Sequence, residues 1–234
     1  MSIYWRPFLR TLTPYVPGEQ PQETDFIKLN TNENPYPPSP KVFEAINRAL
    51  NDIRKYPDPE GNALRKAISE YYNVSPGEVF VGNGSDEILA FSFMAFFMNG
   101  GKLLYPDITY TFYSVYSKIF DVNSLIIPLN EDFSIDIKPY CNDIGGVIIA
   151  NPNAPTAMSL THQEVEKIVG SNKNHLVIID EAYVDFGGES VVDIVKKYNN
   201  LLVIQTFSKS RALAGLRVGF AIGHTDLVEG LRRV

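Results

Sequence analysis

A chain of 234 residues with 44% hydrophobic and 21% charged side chains has an ordinary soluble-globular composition and enough length to bury a substantial core. Its net charge of −6, with no stripe of Lys and Arg, argues against a nucleic-acid or anionic-membrane partner. The single cysteine, Cys141, excludes an intrachain disulfide. The first eighteen residues lack an apolar secretory segment, and the most apolar run, 88–98, is too short to span a bilayer, so a cytoplasmic location is expected.

The first forty residues are rich in proline (Pro35, Pro37, Pro38, Pro40) and read as an extended arm before the main fold. Phe43, Ile46 and Leu50 stand at helical spacing and predict a helix over 40–51; a second follows over 63–72. From there, short β-rich runs at 79–81, 102–105, 125–128, 147–150, 176–180 and 201–205 alternate with helical stretches at 87–98, 109–120 and 161–169. Strands that are apolar nearly throughout, separated by helices, predict a mainly parallel sheet covered on both faces. Asp226 reads as the N-cap of a last helix over 227–234, which ends without a capping residue and so reads as cut short.

In such sheets ligands lie at the carboxyl ends of the strands, which makes the residues after each strand the informative ones. Gly82-Asn83-Gly84-Ser85-Asp86-Glu87 follows the first run. It departs from the dinucleotide-binding fingerprint, with Glu87 at the third glycine position, and no Gly-Lys-Ser/Thr of a Walker loop follows. It serves equally as a tight turn capped by Ser85 or Asp86, or as a helix start whose free N–H groups attract a phosphate. Asn151-Pro152, after 147–150, is a common turn former, although the Asn151 amide could also donate to a ligand oxygen. Asp180 ends an apolar strand: it either sits at the surface edge and serves a helix start or is buried and needs a partner, for which a pyridinium N–H is suitable, and Tyr183 is near enough to reach the same ligand. Ser208 and Lys209 follow the sixth run, and a small-residue stretch then returns Arg217, a bidentate phosphate ligand, towards the same edge.

These residues lie in segments that carry a family resemblance: LNTNENPYPPSP (29–40), KYPDPEGNALRKAIS (55–69), VFVGNGSDEIL (79–89), IIANPNAPT (148–156), VIIDEAYVDF (177–186) and TFSKSRALAGLRVGF (206–220). In this order and spacing the chain resembles the fold-type I pyridoxal-phosphate (PLP) aminotransferases, and most closely their branch acting on histidinol phosphate. The resemblance implies an α/β large domain over 31–234 with a mainly parallel seven-stranded sheet and helices on both faces. It also implies an arm over 1–30 belonging to a small domain whose C-terminal part this chain lacks. By the same resemblance Lys209 bonds the cofactor and then moves the substrate proton, Asp180 partners the ring nitrogen, and Asn151 and Tyr183 donate to the ring's 3-oxygen. Gly84, Ser85, Asp86, Ser208 and Arg217 form the phosphate cup, with Thr206 a further candidate; Tyr110 stacks on the ring, and Tyr56 reaches the phosphate of the other subunit of a homodimer. The implied reaction is transamination of L-histidinol phosphate with 2-oxoglutarate in histidine biosynthesis, without a metal. An aromatic or broad-specificity aminotransferase, an O-phosphothreonine decarboxylase, or a PLP-binding fragment without turnover are the alternatives.

Overall fold

The computed structural model describes residues 3–5, 7–13, 18–19, 27–97 and 101–234; the rest of the expected arm, and the last residue of the helix expected over 87–98, lie outside the described residues. The apolar runs are strands: β1 (Val79–Gly82), β2 (Lys102–Pro106), β3 (Asn123–Ile127), β4 (Gly145–Ala150), β5 (Val177–Asp180), β6 (Leu201–Thr206) and β7 (Gly219–Gly223). They form one sheet in the order β1-β7-β6-β5-β4-β2-β3. The pairs from β3 through β6 are parallel, and β7 runs antiparallel to both β6 and β1. The expected mainly parallel, seven-stranded sheet is therefore what the chain forms.

The helices α1 (Pro40–Ala49), α2 (Asn62–Tyr72), α3 (Ser85–Ser92), α4 (Phe112–Phe120), α5 (His162–Ser171) and α6 (Thr225–Arg232) surround it. Successive side chains of a strand point to opposite faces, so the central strands feed two cores. Val147, Ile149, Val177, Ile179 and Val203 pack with Val165 and Ile168 of α5. Ile148, Ile178, Leu202 and Ile204 pack on the other face with Ile88 and Leu89 of α3 and with Tyr113 of α4. Burial on both faces is why these strands read as unbroken apolar runs, and each such side chain contributes roughly 1.5–3 kcal/mol. None of α1 is buried, and its apolar residues Phe43 and Ile46 are exposed.

Several boundaries differ from the sequence reading. β7 was not read as a strand, because Gly219 and Gly223 bracket only three apolar residues. β3 starts at Asn123 and ends before Pro128; it is an edge strand with exposed residues, so hydrophobicity marks its limits poorly. α4 starts at Phe112 rather than 109, and α3 passes into a π-helical turn, Phe93–Phe97. The cap of α6 is His224, whose Nδ1 accepts from the Asp226 N–H at 3.2 Å. Asp226 instead occupies the first turn, where the helix dipole favours a carboxylate.

The topology builds one functional edge. The parallel strands β2, β4, β5 and β6 all end there, and antiparallel β7 begins there. Gly219 pairs with Thr206 on one side and with Gly82 on the other. The β1–α3 turn and the segment leading into β7 are thereby brought beside the ends of β5 and β6. No described helix is long and apolar enough to cross a membrane.

Candidate active site

A cavity of about 390 Å³ opens at this edge, and its walls include Ser85, Asp86, Tyr110, Asp180, Tyr183, Thr206, Ser208, Lys209 and Arg217. Asp180 is 4% exposed. Its Oδ2 accepts the Tyr113 hydroxyl at 2.9 Å, and its Oδ1 accepts the Ala182 N–H at 3.1 Å. Burial pushes its carboxyl up to about 6, while these two hydrogen bonds pull the other way. Both partners are neutral, and among the described residues no cation forms an ion pair with it. Glu181, the next residue, faces the other side of the sheet. It accepts from the Val191 N–H, the Ser190 hydroxyl and the Gln205 amide, each at 2.7 Å, and burial still holds its carboxyl up to about 7. Of the two adjacent carboxylates, only Asp180 meets the cavity.

Lys209 lies in the loop after β6. Its Nζ donates to the Thr31 carbonyl at 3.0 Å and sits 5.5 Å from the centre of the Tyr183 ring. The Asn32 amide donates to the Tyr183 hydroxyl at 2.8 Å, and the Asn34 amide donates to the carbonyls of Lys209 and Ser210. Residues 31–34 thus close one side, and Thr31 and Glu33 join the lining. Sequence reasoning did not single these two out. The polar Thr-Asn-Glu-Asn run ahead of Pro35 lies in the segment 29–40 that carries the family resemblance, but nothing local in it reports a contact with the loop after β6.

Arg217 reaches the opposite wall. Its Nη1 donates to the Ala214 carbonyl at 3.2 Å, and its Nη2 lies 3.8 Å from Asp86 Oδ2. The other Asp86 oxygen accepts the Tyr110 hydroxyl at 2.7 Å. Burial and then the Asp86 charge raise the Tyr110 hydroxyl well above its ordinary range, so it stays protonated. Two glycines permit this packing. At Gly84 (φ +82°) a Cβ would lie 2.6 Å from Arg217 Nη2, and at Gly219 a Cβ would lie 2.5 Å from the Ser85 nitrogen. The cap position of α3 is Gly84, with no side-chain cap, so neither Ser85 nor Asp86 is spent on that task. The guanidinium and the first turn of α3 together offer an anion N–H donors and positive charge.

Three residues singled out in the sequence, Gly84, Asn151 and Tyr56, are not among those that line the cavity, although Gly84 adjoins Ser85 and Asn151 adjoins Ala150, both of which do. Asn151 is buried, but its Oδ1 accepts the Leu160 N–H at 2.8 Å and its Nδ2 donates to the Leu160 carbonyl at 3.3 Å, which leaves one amide hydrogen uncommitted. Tyr56 is fully exposed and lies outside the cavity lining. Among the described residues no cluster of His, Cys, Asp and Glu could hold a metal ion.

Known proteins share this sequence and architecture. The aminotransferase class I and II family matches residues 24–234. The chain is 55% identical over its whole length to the histidinol-phosphate aminotransferase of Clostridium beijerinckii, covering 66% of that protein. It is 56% identical to that of Clostridium acetobutylicum, covering 67%. It thus spans about two-thirds of the length of these curated relatives. The crystal structure of histidinol-phosphate aminotransferase from Sinorhizobium meliloti in complex with pyridoxal-5'-phosphate has a TM-score of 0.86, with 100% of this chain and 67% of that chain covered. At 20% identity that likeness concerns the fold alone. The match over residues 24–234 and the identity to full-length relatives lead to one conclusion: the chain belongs to the aminotransferase class I and II family.

Proposed function

We propose that the protein is a PLP-dependent aminotransferase that transfers the amino group of L-histidinol phosphate to 2-oxoglutarate, with Lys209 bonding the cofactor. The observation that carries this reading is Asp180, a buried carboxylate with only neutral partners, in one cavity with an amine, Lys209, and a guanidinium, Arg217. A carboxylate in that state fits a protonated pyridine nitrogen, and the Arg217 wall with the start of α3 fits a phosphate. The 55% identity to histidinol-phosphate aminotransferases narrows the substrate.

Bound PLP would supply an electron sink for the negative charge left when the substrate Cα loses its proton. Asp180 would hold the proton on the ring nitrogen. Nζ of Lys209 would take the proton from the substrate Cα and deliver it to the cofactor's C4′, on the far side of the transferred nitrogen. The Tyr183 hydroxyl and the uncommitted Asn151 amide hydrogen would donate to the ring oxygen. Ser85, Ser208 and Arg217 would hold the phosphate, with Gly84 and Asp86 shaping that wall and Tyr110 covering the ring. Residues 31–234 would form the cofactor domain, and the arm over 1–30 would belong to a smaller one. The exposed Tyr56 fits a role across a homodimer. Mixing Tyr56→Phe with Lys209→Ala chains should therefore restore activity, because a mixed dimer contains one unaltered site. No recovery in verified mixed dimers would contradict that role.

The substrate is tested by comparing kcat/KM for L-histidinol phosphate, phenylalanine and O-phosphothreonine with 2-oxoglutarate as acceptor. Histidinol phosphate should lead by about tenfold or more, as expected when a site built for a polar group rejects analogues lacking it. A preference for phenylalanine, or carbon dioxide release from O-phosphothreonine, would reject this assignment.

A further inference from the structure

We propose that Tyr113 is a positioning residue for Asp180, fixing the orientation of its carboxylate through the hydrogen bond to Oδ2. The inference rests on the reading of Asp180 as the ring-nitrogen partner. Tyr113 is completely buried in α4, and among the described residues Asp180 Oδ2 at 2.9 Å is the only acceptor of its hydroxyl. A buried phenol left without a partner is costly, so the pair is mutually enforced. The ring cannot swing away, because it stands edge-on to Tyr105 at 6.1 Å and to Tyr110 at 5.6 Å. Tyr110, Tyr113 and Tyr116 recur every three residues, and each hydroxyl goes to an acceptor beside the cavity: Asp86 Oδ1, Asp180 Oδ2 and the Asp86 carbonyl. One short segment thus braces the Asp180 carboxylate and the Tyr110 ring together.

The Tyr113 bond also opposes the effect of burial on Asp180. Other charged groups and hydroxyls surround it: Asp86 from α3, Tyr110 and Tyr116 beside Tyr113, Glu181 from the other face of β5, and Lys209 and Arg217 on the cavity wall. Only Tyr113 among these side chains hydrogen-bonds the carboxylate. Removing its hydroxyl should make Asp180 harder to ionise.

The test uses cofactor-free protein labelled with ¹³C at the aspartate carboxyl, titrated by NMR, with the Asp180 resonance assigned by its loss in Asp180→Asn. Tyr113→Phe, checked for an unchanged circular-dichroism spectrum, should raise the Asp180 midpoint by about one pH unit or more, the size of a hydrogen bond to a charged group. PLP affinity should fall about tenfold in the wild-type background and by less than about twofold in Asp180→Asn. An unmoved midpoint, or an equal affinity loss in both backgrounds, overturns the positioning role. Should Tyr113→Phe not fold, site-specific 3-fluorotyrosine at 113, a stronger donor of nearly the same shape, should lower the midpoint, and no shift overturns the role. If Asp180→Asn keeps wild-type PLP affinity and turnover while Tyr113→Phe still moves the midpoint, the contact stands and the ring-nitrogen reading is what fails.

Discussion

Asp180 shows how a single residue ties stability to function. In the folded, cofactor-free chain its carboxyl titrates at about 6 against the ordinary 3.8, because burial penalises the charged form. A raised folded value means that its contribution to stability is fully present below about pH 4 and is lost as the pH climbs through about 6. Asp180→Asn removes this loss. Relative to wild type, the cofactor-free variant should therefore gain on the order of 1–2 kcal/mol between pH 5 and pH 8, read by urea unfolding at the two values. A difference that stays constant with pH would contradict the buried, ionised carboxylate. The hydrogen-bonding change that the amide introduces is the same at both pH values and cancels when the two variant-minus-wild-type differences are subtracted. The unusual environment of Asp180 was legible in the sequence, because a carboxylate closing the apolar run Val177–Ile179 has few ways to be satisfied. Tyr113 was not, because nothing in its neighbours distinguishes a tyrosine that packs from one that also donates to a strand 67 residues away.

Among the elements, the junction of β1, α3 and β7 holds the geometry. Gly219 lets β7 run against the start of α3, and an added Cβ would meet backbone atoms of Gly84 and Ser85 that cannot rotate aside. Gly219→Ala should cost about 1–3 kcal/mol of stability, as overpacking does, and should lower PLP affinity by displacing the Ser85 backbone and Arg217. Gly101→Ala, where a Cβ meets nothing within 4 Å, is the control and should change neither. Stability and affinity unchanged in Gly219→Ala would show that the junction is looser than its contacts imply. The elements most legible in the sequence are those buried on both faces, β4, β5 and β6, where a continuous apolar run has no other explanation. β7 escaped notice because the glycines that make the junction possible also erase the strand pattern.

Across the whole molecule, the cavity gathers stretches that are distant in the chain: residues 31–34, the β1–α3 turn, the end of β5 and the loop after β6. Their placement after strands was readable from the alternation of apolar runs and helices, since a parallel sheet puts all those ends on one edge. The part played by 31–34 was not readable. Asn34 meets the Lys209 carbonyl across 175 positions, and no local periodicity reports a contact of that range. Asn151 illustrates another limit, because its place at a strand end was evident while the engagement of its amide with Leu160 was not. The account as a whole turns on Lys209. The most direct measurement is to load the protein with PLP, reduce it with borohydride so that the cofactor is fixed to the amine it is bonded to, and map the modified peptide by mass spectrometry. The account predicts a single modified lysine, Lys209, and no incorporation in Lys209→Ala; labelling of a different lysine, with Lys209→Ala labelled as strongly as wild type, would contradict it.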